Sequence, residues 1–153
     1  MVNSTQWPSF EGDGLSNNEI TDSHLIVKGG VEYAGCHLIL DMWGAENLNN
    51  IELIEQCFHR CIEVAGATLL HIHLHHFSEG DGVSGVAVLA ESHISVHTWP
   101  EKSYAAFDVF MCGDTNPHKI IPILLETFNA KKHKLTEILR GDMSDGDTVL
   151  VAS

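Results

Sequence analysis

Gly82-Val83-Ser84-Gly85-Val86-Ala87-Val88-Leu89-Ala90-Glu91-Ser92-His93-Ile94-Ser95-Val96-His97-Thr98-Trp99-Pro100-Glu101 is the stretch on which the fold turns. Residues 83–90 form a short apolar, valine-rich run of strand length. Residues 93–98 alternate, setting Ile94 and Val96 against His93, Ser95 and His97, so the three polar side chains share one face of a second strand. Residues 100–103, opening on Pro100, break the pattern.

Upstream, residues 36–43 (CHLILDMW) alternate Leu38, Leu40 and Met42 with Ile39, Asp41 and Trp43, a strand buried on both faces for part of its length. Residues 47–65 carry Ile51, Ile54, Phe58, Cys61, Ile62 and Ala65 on one helical face. Asn47 or Asn49 can cap that helix and Gly66 stops it. Residues 67–77 read as a strand, and Ser78 to Gly82 as a turn. Downstream, residues 104–112 form another strand. Asn116-Pro117 opens a second helix, with Ile120, Ile121, Leu124, Leu125 and Phe128 as its apolar face. Residues 134–139 give a last strand and 141–153 an acidic tail. The order β-α-β-β-β-β-α-β predicts an α+β fold, a two-layer sandwich whose mostly antiparallel sheet is covered on one face by two helices. Residues 1–30, rich in Ser, Asn, Gly, Asp and Glu without sustained period, predict an N-terminal extension that is mobile or loosely docked. The domain is expected over 31–153.

Composition narrows the function. The chain has 153 residues, 8 Lys+Arg against 21 Asp+Glu, and a net charge of −13. That length suits one domain, and 44 % hydrophobic content excludes a wholly disordered acidic chain. The charge argues against nucleic acid and anionic membrane as partners and is compatible with a cationic ligand. Cys36, Cys57, Cys61 and Cys112 form no CxxC pair, so no disulfide scaffold is expected. Without a basic run and apolar core at the N-terminus, or an apolar run near 18 residues, neither a secretory signal nor a membrane span is expected. The expected compartment is a reducing cytoplasm.

Three groups of residues could carry chemistry. His93, Ser95 and His97 share a face and could supply nucleophile and base, or simply a hydrogen-bonded polar face; no GxSxG elbow accompanies them. His71, His73 and His75 also share a strand face, the kind of donors zinc takes. The outer two lie roughly 13 Å apart, so one ion cannot easily hold all three, and an exposed polar face remains the alternative. Cys57 and Cys61, at i and i+4, read as core, whereas Cys112 ends a strand beside a turn, where reactive groups tend to sit. There is no GxxxxGK[ST] and no GxGxxG, so phosphate chemistry is unsupported.

Ser84-Gly85, the ungapped run from Glu91 to Glu101, and Tyr104-Ala105-Ala106-Phe107-Asp108-Val109-Phe110-Met111-Cys112-Gly113 together resemble the S-adenosylmethionine decarboxylase proenzymes, in their short prokaryotic form. Gly35-Cys36-His37-Leu38 matches the family's G-x-H-L strand. The resemblance covers about residues 33–140. It implies self-cleavage between Glu91 and Ser92, giving a β chain (1–91) and an α chain (92–153). In that scheme the Ser92 hydroxyl attacks the preceding carbonyl, the resulting ester eliminates, and Ser92 becomes a pyruvoyl group. His97 would be the processing base and Ser84 its hydrogen-bonding support.

The pyruvoyl group replaces pyridoxal phosphate, forms a Schiff base with the substrate amine and draws off the electrons left by CO₂. The resemblance makes Cys112 the proton donor to the product carbon, a role suited to a thiol near neutral pH. Glu101 would hold the ribose hydroxyls, and Phe77 would meet the adenine or the sulfonium cation. The product is the aminopropyl donor for spermidine. No metal is implied, and the expected assembly is a homodimer of αβ units with shared sites. Two departures stand out: the loop from Ser78 to Gly82 is about one residue longer than usual, and Ala90 replaces a frequent serine. Arginine or ornithine as substrate for the same chemistry is the rival reading, followed by an uncleaved metal-binding or regulatory paralogue.

Overall fold

The structure is a computed structural model and describes residues 24–78 and 80–144. Seven strands and two α-helices follow in the order β1 (Ile26–Lys28), β2 (Val31–Trp43), α1 (Ile51–Ala65), β3 (Leu69–His76), β4 (Val83–Leu89), β5 (Ser92–Trp99), β6 (Tyr104–Met111), α2 (Ile121–Thr127) and β7 (Lys132–Asp142). Short 3₁₀ turns occupy Pro100–Lys102 and Pro117–Ile120. All strand pairs are antiparallel. The sheet runs β1-β2-β6-β5-β4-β3, and β7 also pairs with β2, from Tyr33↔Asp142 to Trp43↔Lys132.

Both helices cover the same face. The apolar stripe of α1 (Ile54, Phe58, Cys61 and Ile62) packs with alternate residues of the strands: Leu38, Leu40 and Met42, then Ile94 and Val96, then Phe107 and Val109. Phe107 joins the layers, its ring 6.4 Å from Phe58 and 5.5 Å from Phe128. Such aromatic pairs add about 0.5–1.5 kcal/mol beyond the area they bury. Among the described residues no helix covers the other face of the sheet. That face presents Ile39, Val86, Val88, Ala106 and Phe110 among His37, His93, Ser95, His97 and Asp108, mostly half-exposed. The α+β sandwich expected from the pattern is the observed fold.

Local differences from the sequence reading have local causes. Asn50, not Asn47 or Asn49, caps α1; its side-chain oxygen accepts from the Leu53 N–H at 3.0 Å. Asn47 instead adopts a left-handed turn conformation with φ 61°. The second helix starts as a 3₁₀ turn because Pro122 has no N–H for the His118 carbonyl, which takes the Ile121 N–H instead. Residues 26–30, assigned to the extension, form β1 and a turn. Gly29 and Gly30 both take positive φ, 61° and 81°, the left-handed pair a two-residue hairpin requires. β2 accordingly begins at Val31 and runs for 13 residues. Residues 1–23 of the extension, and the tail beyond residue 144, lie outside the described residues.

Candidate active site

The β4–β5 hairpin carries candidate residues at both ends. At its closed end Leu89 pairs with Ser92, leaving Ala90 and Glu91 as a two-residue turn. Glu91 sits at φ 63°, a left-handed conformation that costs a side-chain-bearing residue about 1–2 kcal/mol. The Ala90 N–H donates to the Thr68 carbonyl at 2.9 Å, tying the turn to the loop before β3. The strained residue is thus the one preceding Ser92.

Ser92 lies on the helix-covered face with Ile94 and Val96 and is buried. Its Oγ accepts from the Cys112 N–H in a long contact of 3.4 Å. Thr115 fixes the same corner, its hydroxyl donating to the Cys112 carbonyl at 2.7 Å. Burial pushes the Cys112 thiol above the ordinary cysteine value, and the negative charge of Glu91 adds to the effect. A thiol so placed stays protonated through neutral pH and can donate a proton. His24 reaches this corner as well: its Nδ1 is 2.5 Å from Glu91 Oε2, and its carbonyl accepts from the Gly113 N–H at 3.0 Å. The sequence reading missed His24 because it precedes the first periodic segment.

At the open end Ser84 and His97 are cross-strand partners on the helix-free face, with Ser84 Oγ 2.9 Å from His97 Nδ1. A cavity of about 340 Å³ adjoins them, lined by Phe77, Asp81, Gly82, Trp99 and Glu101. Gly82 is required there, since a Cβ would lie 2.2 Å from the Thr98 carbonyl oxygen. Thr98 anchors the floor, donating to the Leu48 carbonyl at 2.7 Å and accepting from the Val83 N–H at 2.8 Å. Glu101 comes from the 3₁₀ turn that Pro100 starts, and Phe77, 66 % exposed, stands edge-on to His75. Asp81 and Trp99 were not anticipated, although Trp99 follows His97 at the spacing that puts both on one face.

The structure therefore gathers Phe77, Ser84, His97 and Glu101 at one end, and Glu91, Ser92 and Cys112 at the other. Within one chain the two groups do not meet. Ser92 and His97 are five residues apart on a strand, roughly 16 Å, and face opposite sides of the sheet. His71, His73 and His75 line the same helix-free face on β3, at the end of the sheet order opposite β1, across from Val88, Val86 and Ser84. Among the described residues they form no three-donor cluster.

A two-layer α+β protein with a hydroxyl and a thiol at a strained hairpin tip, and a histidine beside an acid-lined cavity, is the class these features define. The profile of the S-adenosylmethionine decarboxylase family matches residues 36–141. An S-adenosylmethionine decarboxylase proenzyme of Thermomicrobium roseum is 39 % identical over 112 residues, covering 72 % of this chain and 97 % of the relative. The proenzyme of Methanococcus maripaludis is 44 % identical over 116 residues, 74 % of this chain and 94 % of the relative. The crystal structure of the adenosylmethionine decarboxylase from Aquifex aeolicus VF5 superposes with a TM-score of 0.65 at 28 % identity, covering 75 % of this chain and 97 % of that one. The chain belongs to the S-adenosylmethionine decarboxylase family, a family of decarboxylating enzymes.

Proposed function

We propose that the chain cleaves itself between Glu91 and Ser92, converts Ser92 to a pyruvoyl group, and decarboxylates S-adenosyl-L-methionine to the aminopropyl donor used for spermidine in the cytoplasm. The observation that supports this most is the hairpin tip, where Ser92 Oγ meets the Cys112 N–H directly after the left-handed Glu91. The residues present fit a pyruvoyl group: the hydroxyl adjoins the carbonyl it must attack, and Ser92 itself is buried. When formed, the pyruvoyl carbonyl supplies an electron sink for loss of an α-carboxylate.

The other roles belong to this chain's own side chains. His97, held by Ser84, accepts the proton removed during processing. Cys112, kept protonated by burial and by Glu91, returns a proton to the product carbon. Phe77 and Trp99 offer aromatic faces to adenine or the sulfonium, a cation–π contact of about 0.5–2 kcal/mol. Glu101 offers two carboxylate oxygens to the ribose hydroxyls.

Because His97 is roughly 16 Å from Ser92 of its own chain, the working unit is a dimer. Two αβ units pair so that each site takes Ser92 and Cys112 from one copy and Ser84, His97, Phe77 and Glu101 from the other.

Intact-mass analysis tests the cleavage. Two fragments of roughly 10 and 7 kDa are expected from a cut after residue 91, and a single full-length species after prolonged incubation would refute the reading. Labelled S-adenosylmethionine, arginine and ornithine then test the substrate. CO₂ from the first alone is expected, whereas release only from an amino acid would overturn the assignment.

A further inference from the structure

Next to the Ser92–Cys112 corner, where Cys36 of β2 pairs with Met111 of β6, three donors with no role in the site described above converge. Cys36 is buried on the helix-covered side of β2. In the β2–β7 register Leu38 lies opposite Glu137 and Cys36 opposite Leu139, which makes Glu137 the diagonal neighbour of Cys36 on the same face. His118 descends on the pair from the Pro117–Ile120 turn, whose start is fixed by the Asn116 side chain accepting from the His118 N–H at 3.1 Å. One donor atom from each of Cys36, His118 and Glu137 lies within 4.8 Å of the others. His118 Nε2 is hydrogen-bonded to Glu137 Oε2, and Lys28 pairs with the other oxygen, Oε1. A cavity of about 210 Å³ opens beside them, lined by Lys28, Cys36, Thr115, Asn116 and His118.

We propose that Cys36, His118 and Glu137 form a binding site for a divalent metal ion of the zinc class. Thiolate and imidazole together select borderline metals over magnesium or calcium, and three protein donors with an open side suit four-coordinate zinc whose last ligand is water. The adjoining cavity gives that water room. Binding displaces the proton shared by His118 and Glu137 and the proton of the Cys36 thiol. One thiolate and one carboxylate then balance the ion's two positive charges. Lys28 remains on the far carboxylate oxygen, where its charge opposes the metal and weakens the site.

The site has a consequence that rests on the cleavage proposed above. Cys36 precedes Glu91, whereas His118 and Glu137 follow Ser92. After cleavage the ion would join the β chain to the α chain.

Titration of untagged, chelator-treated protein with Co²⁺ tests the site. One equivalent per chain is expected, with a thiolate-to-cobalt charge-transfer band that Zn²⁺ abolishes. Cys36→Ser removes the band. His118→Ala and Glu137→Gln, both at exposed positions, weaken binding by more than the ~10–100-fold typical of losing an outer partner, and they decide the matter if Cys36→Ser does not fold. Lys28→Met tightens binding, and Cys112→Ala leaves the band in place. Absence of a thiolate band, its indifference to His118→Ala and Glu137→Gln, or its loss in Cys112→Ala would each overturn the proposal. The Ser92→Ala chain, unable to cut, should bind Co²⁺ equally, so a failure of cleavage stays distinct from a failure of the site. In moderate urea, Zn²⁺ should hold the cut chains together where a chelator releases them; equal release would refute the clasp.

Discussion

The two ends of the β4–β5 hairpin hold reactive residues in opposite settings. At the closed end Ser92 is 7 % exposed and faces the helix-covered core, beside a thiol kept protonated. At the open end Ser84 and His97 stand on the helix-free face beside a cavity wide enough for a small molecule. The difference is a consequence of β geometry. Side chains alternate between faces, so an odd separation of five residues puts Ser92 and His97 on opposite sides. A single copy carries both halves of the proposed site and cannot close it.

The sharpest way to break this comparison is to divide the halves between chains. Ser92→Ala and His97→Ala should each be uncut alone. When the two are co-expressed, the His97→Ala chain should be cut, because its Ser92 meets the other copy's His97. Mass analysis reads the fragments; persistence of both chains intact would mean that the halves act within one copy. Next in size is the separation of processing from turnover. Cys112→Ala should still be cut, while kcat falls by roughly 10²–10⁴, the usual worth of a general acid. Equal loss of cleavage and turnover would merge two roles kept apart here.

A smaller effect is expected at the cavity. Glu101→Ala should raise KM by roughly 10–150-fold, from about 1.5–3 kcal/mol for hydrogen bonds to a charged group, with kcat less affected. The smallest concerns Glu91. Its carboxylate contributes to raising the Cys112 thiol, so Glu91→Gln should move thiolate formation to lower pH. The rate of Cys112 alkylation against pH measures this directly, since Cys36, Cys57 and Cys61 are buried. The alkaline limb of kcat should move down with it, because the donor is lost as pH rises through the thiol's pKa. His24→Ala should shift both the same way if the 2.5 Å contact with Glu91 holds that carboxylate near the thiol.

Much of the architecture was legible because local rules and tertiary packing agree. The apolar stripe from Ile51 to Ala65 is the buried face of α1, and Gly66, at φ 74°, ends it as only glycine does at little cost. The His93, Ser95, His97 alternation is the observed alternation of β5. Legibility failed where one residue's role depends on its neighbours' backbone. Asn47, Asn49 and Asn50 are equivalent on paper, and the chain path chooses Asn50. β1 is three residues long and mostly exposed, too short to show a period; the Gly29-Gly30 pair was its one available signal.

The sequence by itself determined the two-layer α+β fold, the antiparallel hairpin and its motif, because strand and helix periods and turn residues are written in adjacent positions. Only the tertiary structure decided which motif residues stand together. It joined His24 to Glu91, gathered Phe77 and Glu101 beside Ser84 and His97, and brought Cys36, His118 and Glu137 within reach of one ion. Those distances depend on strand register and on how the Pro117–Ile120 turn lies against β2 and β7. Neither is set by any local run of residues.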